Sequence, residues 1–240
     1  MQNGYASYGA AKRYARLAGL SYLLLAAGGV FGGFVAIASQ VVPGDPMATA
    51  ANIEGAGRLY RLGVLAWVVT LIFDLIVAWA LTIVTAPAAP RLAVLAGLCR
   101  TVYVAVHAAV AGNLAAAQRY AEGEGALSAF PPDQLAALAN DALLHHKTGF
   151  EISLVFFGLH LILIGVLMMR ARYLPSWIGV LVAISGLVYL VDAGAWLVLD
   201  DYDAYAMPLV AAVSITAIVA ELALAFYLVI VGVGRRYAEG

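Results

Sequence analysis

Six apolar runs, at about 17–38, 61–85, 92–117, 150–169, 176–199 and 207–234, alternate along the chain with short stretches that hold nearly all the prolines and most of the charges. Each run has about 20 residues or more, enough for a helix rising ~1.5 Å per residue to cross a ~30 Å hydrocarbon core and too long for a membrane strand. The predicted fold is therefore all-α, a polytopic membrane protein in which six transmembrane helices make one domain over 1–240. Two connections carry signals of their own. In the loop 43–60, Asp45 is placed to cap a short helix with Pro46 at its first position. In the loop 118–149, Pro131-Pro132-Asp133 opens a segment whose Leu135, Leu138 and Ala142 recur at helical spacing, which predicts an interfacial helix. That helix ends in His145-His146-Lys147 beside Glu151, read as an exposed, titratable rim.

The stretch from Phe156 to Asp192 is a transmembrane hairpin in which the short basic turn Arg170-Ala171-Arg172-Tyr173-Leu174-Pro175 joins two spans. Gly158 and Gly165 in its first arm, and Gly179 and Gly186 in its second, repeat every seven residues and line one seam of each helix, which predicts tight packing. Gly28, Gly29, Gly32 and Gly33 form overlapping small-xxx-small pairs in the first span, where another helix of the chain or of an oligomer can approach closely. Ala36-Ile37-Ala38 before Ser39 resembles a signal-peptidase site, but the apolar run exceeds the ~7 to 15 residues of a cleaved segment, so the span is read as an anchor.

Composition places the whole chain in a bilayer: 64% of its residues are hydrophobic and 11% charged, with a mean hydropathy of +0.94. The net charge of -1 matters less than its distribution. Lys12, Arg13, Arg16, Arg91, Arg170, Arg172, Arg235 and Arg236 fall on the side that holds both termini, against Arg58, Arg61, Arg119 and Lys147 on the other. The positive-inside rule makes the first side cytoplasmic and the protein a multi-pass component of the cell membrane. The single Cys99 cannot form an internal disulfide, and no feature points to nucleic acid.

Ionisable side chains in the spans cost several kcal/mol each unless they face one another or water, so Asp74, Arg100, His107, His160, Asp192 and Glu221 are the candidate site residues. Counted at ~1.5 Å per residue, Asp74 and Glu221 lie about 20 Å below the outer boundary, Arg100 about 16 Å and His160 about 15 Å, with His107 and Asp192 only about 5 Å deep. Arg100, Asp74 and Glu221 can thus meet, and the two carboxylates leave one acid in surplus over the single cation. A direct Arg-to-acid pair would favour a structural ion network, whereas the surplus acid is what a proton-linked site requires. His107, His160 and Asp192 are the ligands for an open zinc site if they converge to ~2 Å from one ion; a haem between the two histidines is disfavoured by their difference in depth. No Walker loop, nucleophile elbow or His-Glu-x-x-His sequence occurs.

Val42-Pro43-Gly44-Asp45 with Thr49-Ala50-Ala51-Asn52-Ile53, the Tyr60-Arg61-Leu62-Gly63 entry to the second span, Arg100, Phe156 to His160, Tyr173-Leu174-Pro175, Gly179-Val180-Leu181 and Tyr189 to Asp192 resemble the bacterial membrane family catalogued as domain of unknown function 4386 (DUF4386). The resemblance covers nearly the whole chain, with least agreement in 118–149. It implies the six-span fold, brings no settled activity, and marks Asn52, Arg61, Arg100, His160 and Asp192 as positions that match the family pattern.

Three readings follow. The first is a protein that binds, senses or transports a small or lipidic ligand with proton linkage, through a buried polar site opening to the extracytoplasmic side. Opposed orientation of spans one to three and four to six, with Asp74 and Asp192 in corresponding spans, is also a trait of inverted-repeat transporters. The second is a metal-dependent enzyme on an apolar or lipid substrate, using the His107, His160 and Asp192 set with Glu221 or Asp74 as general base. The third is an accessory subunit whose polar residues only specify helix packing. No cofactor is required by the sequence itself, zinc or haem entering only with the second reading.

Overall fold

The computed structural model describes residues 5–239. Among them are six helices long and apolar enough to cross a membrane: α1 Tyr8–Gly29, α2 Pro46–Thr85, α3 Pro90–Glu122, α4 Pro132–Arg170, α5 Ser176–Val198 and α6 Asp203–Ile230. No strand occurs among the described residues. The prolines set the starts: Pro46, Pro90 and Pro132 each occupy a first helical position, where the missing N–H has no intrahelical partner to lose. The first span does not stop at Gly29. It widens into a π-helix over Val30–Ile37 and tightens into a 3-10 turn at Ala38–Gln40.

The short helix expected in 43–60 exists, but it is the first part of α2. Asp45 caps it by accepting the Ala48 N–H at 2.9 Å, and the Thr49 hydroxyl closes the preceding turn by accepting the Val42 N–H at 2.9 Å. At Gly57 the backbone takes φ 25, which a glycine accepts readily, and the helix kinks before continuing as the second span. Gln118 donates to the Gly57 carbonyl at 3.3 Å, a partner for a group the kink withdraws from the helical ladder. The interfacial helix expected in 118–149 is not a separate element either: α3 runs on to Glu122, a 3-10 turn covers Gly125–Ala129, and α4 continues unbroken from Pro132 through the fourth span. Hydropathy marks only the part of a helix that meets lipid, whereas hydrogen bonding carries it beyond.

The chain divides into two compact units. One comprises the described residues of Met1–Leu24, Phe73–Val104 and Glu151–Gly240, and the other comprises Leu25–Ile72 and Ala105–Phe150. The division does not separate the first three spans from the last three, so it does not reproduce the halves of an inverted repeat.

Glycine seams do the close packing inside each unit. In the first, a Cβ at Gly158 would meet the Gly186 carbonyl at 2.8 Å and one at Gly179 the Gly165 carbonyl at 2.8 Å, as the sevenfold spacing implies for antiparallel neighbours. In the second, Gly28 lies against Thr70, Gly32 against Gly63 and Gly33 against Trp67. The glycine-rich face of the first span is thus filled by α2 of the same chain, and of those four glycines only Gly29 faces open space.

Candidate functional site

In the first unit each of the six helices brings one polar side chain to a common centre: Tyr22 from α1, Asp74 from α2, Arg100 from α3, His160 from α4, Tyr189 from α5 and Glu221 from α6. Small residues nearby allow it. Gly97, one turn before Arg100, packs against Thr82 on α2, two turns beyond Asp74. Gly158, two residues before His160, packs against Gly186, three residues before Tyr189. Gly19 lies against the Ala225 backbone, one turn from Glu221, and carries Tyr22 into place three residues on.

Arg100 is 0% exposed. Its Nε and Nη2 donate to the same oxygen of Asp74, Oδ1, at 2.9 and 2.5 Å, while Nη1 donates to the Tyr22 hydroxyl at 2.6 Å and to His160 Nε2 at 3.1 Å. The guanidinium also lies 4.7 Å from the centroid of the Tyr22 ring and 5.2 Å from that of Phe157, where the ring quadrupoles favour a cation. Four of its five N–H groups are therefore engaged. The expected meeting of Arg100 with Asp74 occurs, as a direct ion pair between two buried side chains.

His160 is held at both ends. Because an arginine can only donate, His160 Nε2 accepts, and Nδ1–H donates to the Ala96 carbonyl at 2.8 Å. Neither ring nitrogen keeps a free lone pair for a metal or a haem iron. Asp192, in the same unit, accepts from the Tyr202 hydroxyl at 2.8 Å; burial and this carboxylate push the Tyr202 phenol above its ordinary value. Among the described residues no group of three or more His, Cys, Asp or Glu side chains that could hold a metal ion is found.

Glu221 is half-buried. Its electrostatic neighbours are Arg100 and Asp74, and the Tyr189 side chain stands within hydrogen-bonding reach. Phe157 packs edge-on against Tyr189 at 5.2 Å and lies 4.9 Å from Tyr103, which closes the aromatic wall around these polar groups.

The remaining sequence candidates lie in the second unit. His107 is buried among rings, 4.8 Å from Trp67, 4.8 Å from Phe150 and 5.5 Å from His146. The rim expected at His145 and His146 is only half right. His145 is exposed and lies 3.3 Å from Asp141, but His146 turns inward toward His107, with Nδ1 3.3 Å from the Val110 carbonyl. Asn52 donates to the Gln40 carbonyl at 3.2 Å, and Arg61 pairs with Glu122 at 3.1 Å with most of its side chain exposed. Both tie down a loop or a helix end.

Tyr22 and Tyr103 were not picked out from the sequence, and Tyr189 only as part of the stretch to Asp192 that carries the family resemblance, since a tyrosine in an apolar span costs little and gives no signal. The one clue to Tyr22 was its place one turn after Gly19.

The family model for the domain of unknown function DUF4386 matches residues 17–232. The chain belongs to that family. A DUF4386 match of this extent takes in every residue of the polar centre, from Tyr22 to Glu221. Over 110 residues the chain is 32% identical to a protein of Archaeoglobus fulgidus described as an uncharacterized protein, an alignment covering 43% of this chain and 61% of that protein. No solved structure matches at a significant level. Family membership and the six apolar helices make this DUF4386 protein an integral membrane protein.

Proposed function

We propose that this protein binds a small or lipidic ligand at the polar centre of its first unit, in a site reached from the extracytoplasmic side, and that binding is linked to a proton on Glu221. The observation that supports the reading is the charge count of the centre. Arg100 is committed to Asp74, so Glu221 is left without a cation of its own. A carboxylate in an apolar span is tolerated when it holds a proton or when a ligand supplies the positive charge, and exchange between those two states is proton-linked binding. The charged and titratable groups around it are Arg100, Asp74, Tyr22, Tyr103 and Tyr189. Of the two acids of the centre, Asp74 is buried and Glu221 half-buried, which makes Glu221 the one more open to such an exchange. The loop charges support an orientation with both termini in the cytoplasm.

The test is a binding screen of primary and quaternary amines and of neutral lipids on the detergent-purified protein at pH 5, 6.5 and 8, with Glu221→Gln in parallel. The expected result is a ligand whose Kd changes with pH in the wild type and not in the variant. A Kd that stays constant across that range in the wild type removes the titrating site.

A further inference from the structure

A second place, at the ends of the helices rather than at their middle, has the chemistry of a binding site. The turn between α4 and α5 and the segment after α6 form a cleft of about 390 Å³ lined by Arg172, Tyr173, Pro175, Tyr227, Arg235 and Arg236. Its floor is fixed. The Gly234 N–H donates to the Tyr173 carbonyl at 2.9 Å, the Tyr173 hydroxyl donates to the Val84 carbonyl at 3.0 Å, and the Tyr173 and Tyr237 rings meet edge-on at 4.8 Å. Gly232, at φ 79, turns the chain back so that it passes against the stem of Lys12. The three arginines are exposed, and among the described residues none of them is in a salt bridge. Neither 170–177 nor 227–237 contains an Asp or Glu. Three arginines thus stand among the residues that line the cleft and no acid does, the nearest acid in its segments being Glu239, three residues beyond Arg236.

Its depth in the membrane is fixed by the elements that build it. Arg172 stands two residues beyond the end of α4, Pro175 precedes the first residue of α5, and Arg235 stands five residues beyond the end of α6, so the cleft lies at the headgroup level of one leaflet. Trp177 beside it is 62% exposed, as an interfacial anchor is, and Ile230, 70% exposed, offers an apolar surface leading toward the bilayer core. We propose that this cleft binds the phosphate of an anionic phospholipid, with Arg172, Arg235 and Arg236 as its cations and the acyl chains lying along the exposed apolar residues at the ends of α4 and α6. Forked guanidinium groups suit phosphate oxygens, and basic pockets between helix ends are where anionic headgroups settle. The apolar exit distinguishes a lipid from free phosphate.

Native mass spectrometry of the detergent-solubilised protein, titrated with phosphatidylglycerol and phosphatidylcholine of the same acyl chains, tests this. Two triple variants remove equal charge from the same end of the helices: Arg172→Gln, Arg235→Gln and Arg236→Gln in the cleft, and Arg13→Gln, Arg16→Gln and Arg91→Gln outside it. The wild type and the second variant should retain phosphatidylglycerol over phosphatidylcholine, and the cleft variant should lose at least about tenfold of that preference. Retention by the cleft variant, or equal loss in both, would overturn the proposal. Displacement of the lipid by millimolar inorganic phosphate would overturn it as well, since the site would then take the free anion.

Discussion

Arg100 has no freedom left at its site, and the consequences of altering it follow. Removing one member of a buried ion pair strands the other, at a cost of about 3 to 5 kcal/mol. Arg100→Met and Asp74→Asn should each destabilise by about that amount in a denaturant titration of the detergent-solubilised protein, and Arg100→Met combined with Asp74→Leu should be less destabilised than Arg100→Met alone. A double variant as unstable as the sum of the singles would mean that Tyr22 and His160, not Asp74, dominate what Arg100 stabilises. Glu221 gives the opposite expectation: Arg100 is near it but pairs directly with Asp74, so Glu221→Gln breaks no direct ion pair and should unfold within about 1 kcal/mol of the wild type, and any loss of ligand binding in it is a loss of chemistry. The charged members of the centre were legible in the sequence because burying a charge is expensive enough to demand a partner, and depth along the helix said which partners could meet. The tyrosines were not, and neither was the inward turn of His146, because rotation of a helix about its axis is set by packing that a single sequence does not display.

At the scale of the helix, the seam between α4 and α5 is the element on which the site depends, since it fixes His160 relative to Tyr189. A Cβ at Gly165 would meet the Gly179 carbonyl at 2.5 Å and the Ala183 backbone N at 2.8 Å, and backbone cannot move aside as the tip of a side chain can. Gly165→Ala should therefore cost about 1 to 3 kcal/mol of stability, the range found for overpacked cores. Gly194→Ala on α5, with nothing within 4 Å of the added methyl, should be neutral or slightly stabilising. Circular-dichroism melts of the two variants in the same detergent decide it; equal melting temperatures would mean that the helices part easily and that the seam does not hold the centre. This seam was readable from the sevenfold glycine spacing alone, because a seven-residue step returns to nearly the same face of a helix. The limits of α2 and α4 were not, for composition changes where a helix leaves the lipid while its hydrogen bonding continues to the next proline or glycine.

For the whole molecule, orientation bears on both proposed sites, because it decides which leaflet holds the lipid cleft and to which side the polar centre opens. Six spans return the chain to the side on which it began, so Tyr5, Ser176 and the three cleft arginines share one side, and Ser128 and Asp201 the other. Eight cations stand on the first side and four on the second, Arg100 being the remaining one of the 13 Lys and Arg residues. Of the four, Arg61 is paired with Glu122, which further weakens the second side's hold on the cytoplasm. The charge difference thus predicts that Tyr5 and Ser176 are cytoplasmic. With Cys99→Ser as background, Ser128→Cys and Asp201→Cys should react with a membrane-impermeant maleimide in intact cells, and Tyr5→Cys and Ser176→Cys only after permeabilisation. Complete reversal would put the arginine cleft in the outer leaflet and turn the proposed opening of the polar centre toward the cytoplasm. Labelling of Ser128→Cys without Asp201→Cys would break the count of six spans, since the two positions are separated by the α4–α5 hairpin and must emerge together if both of its arms cross.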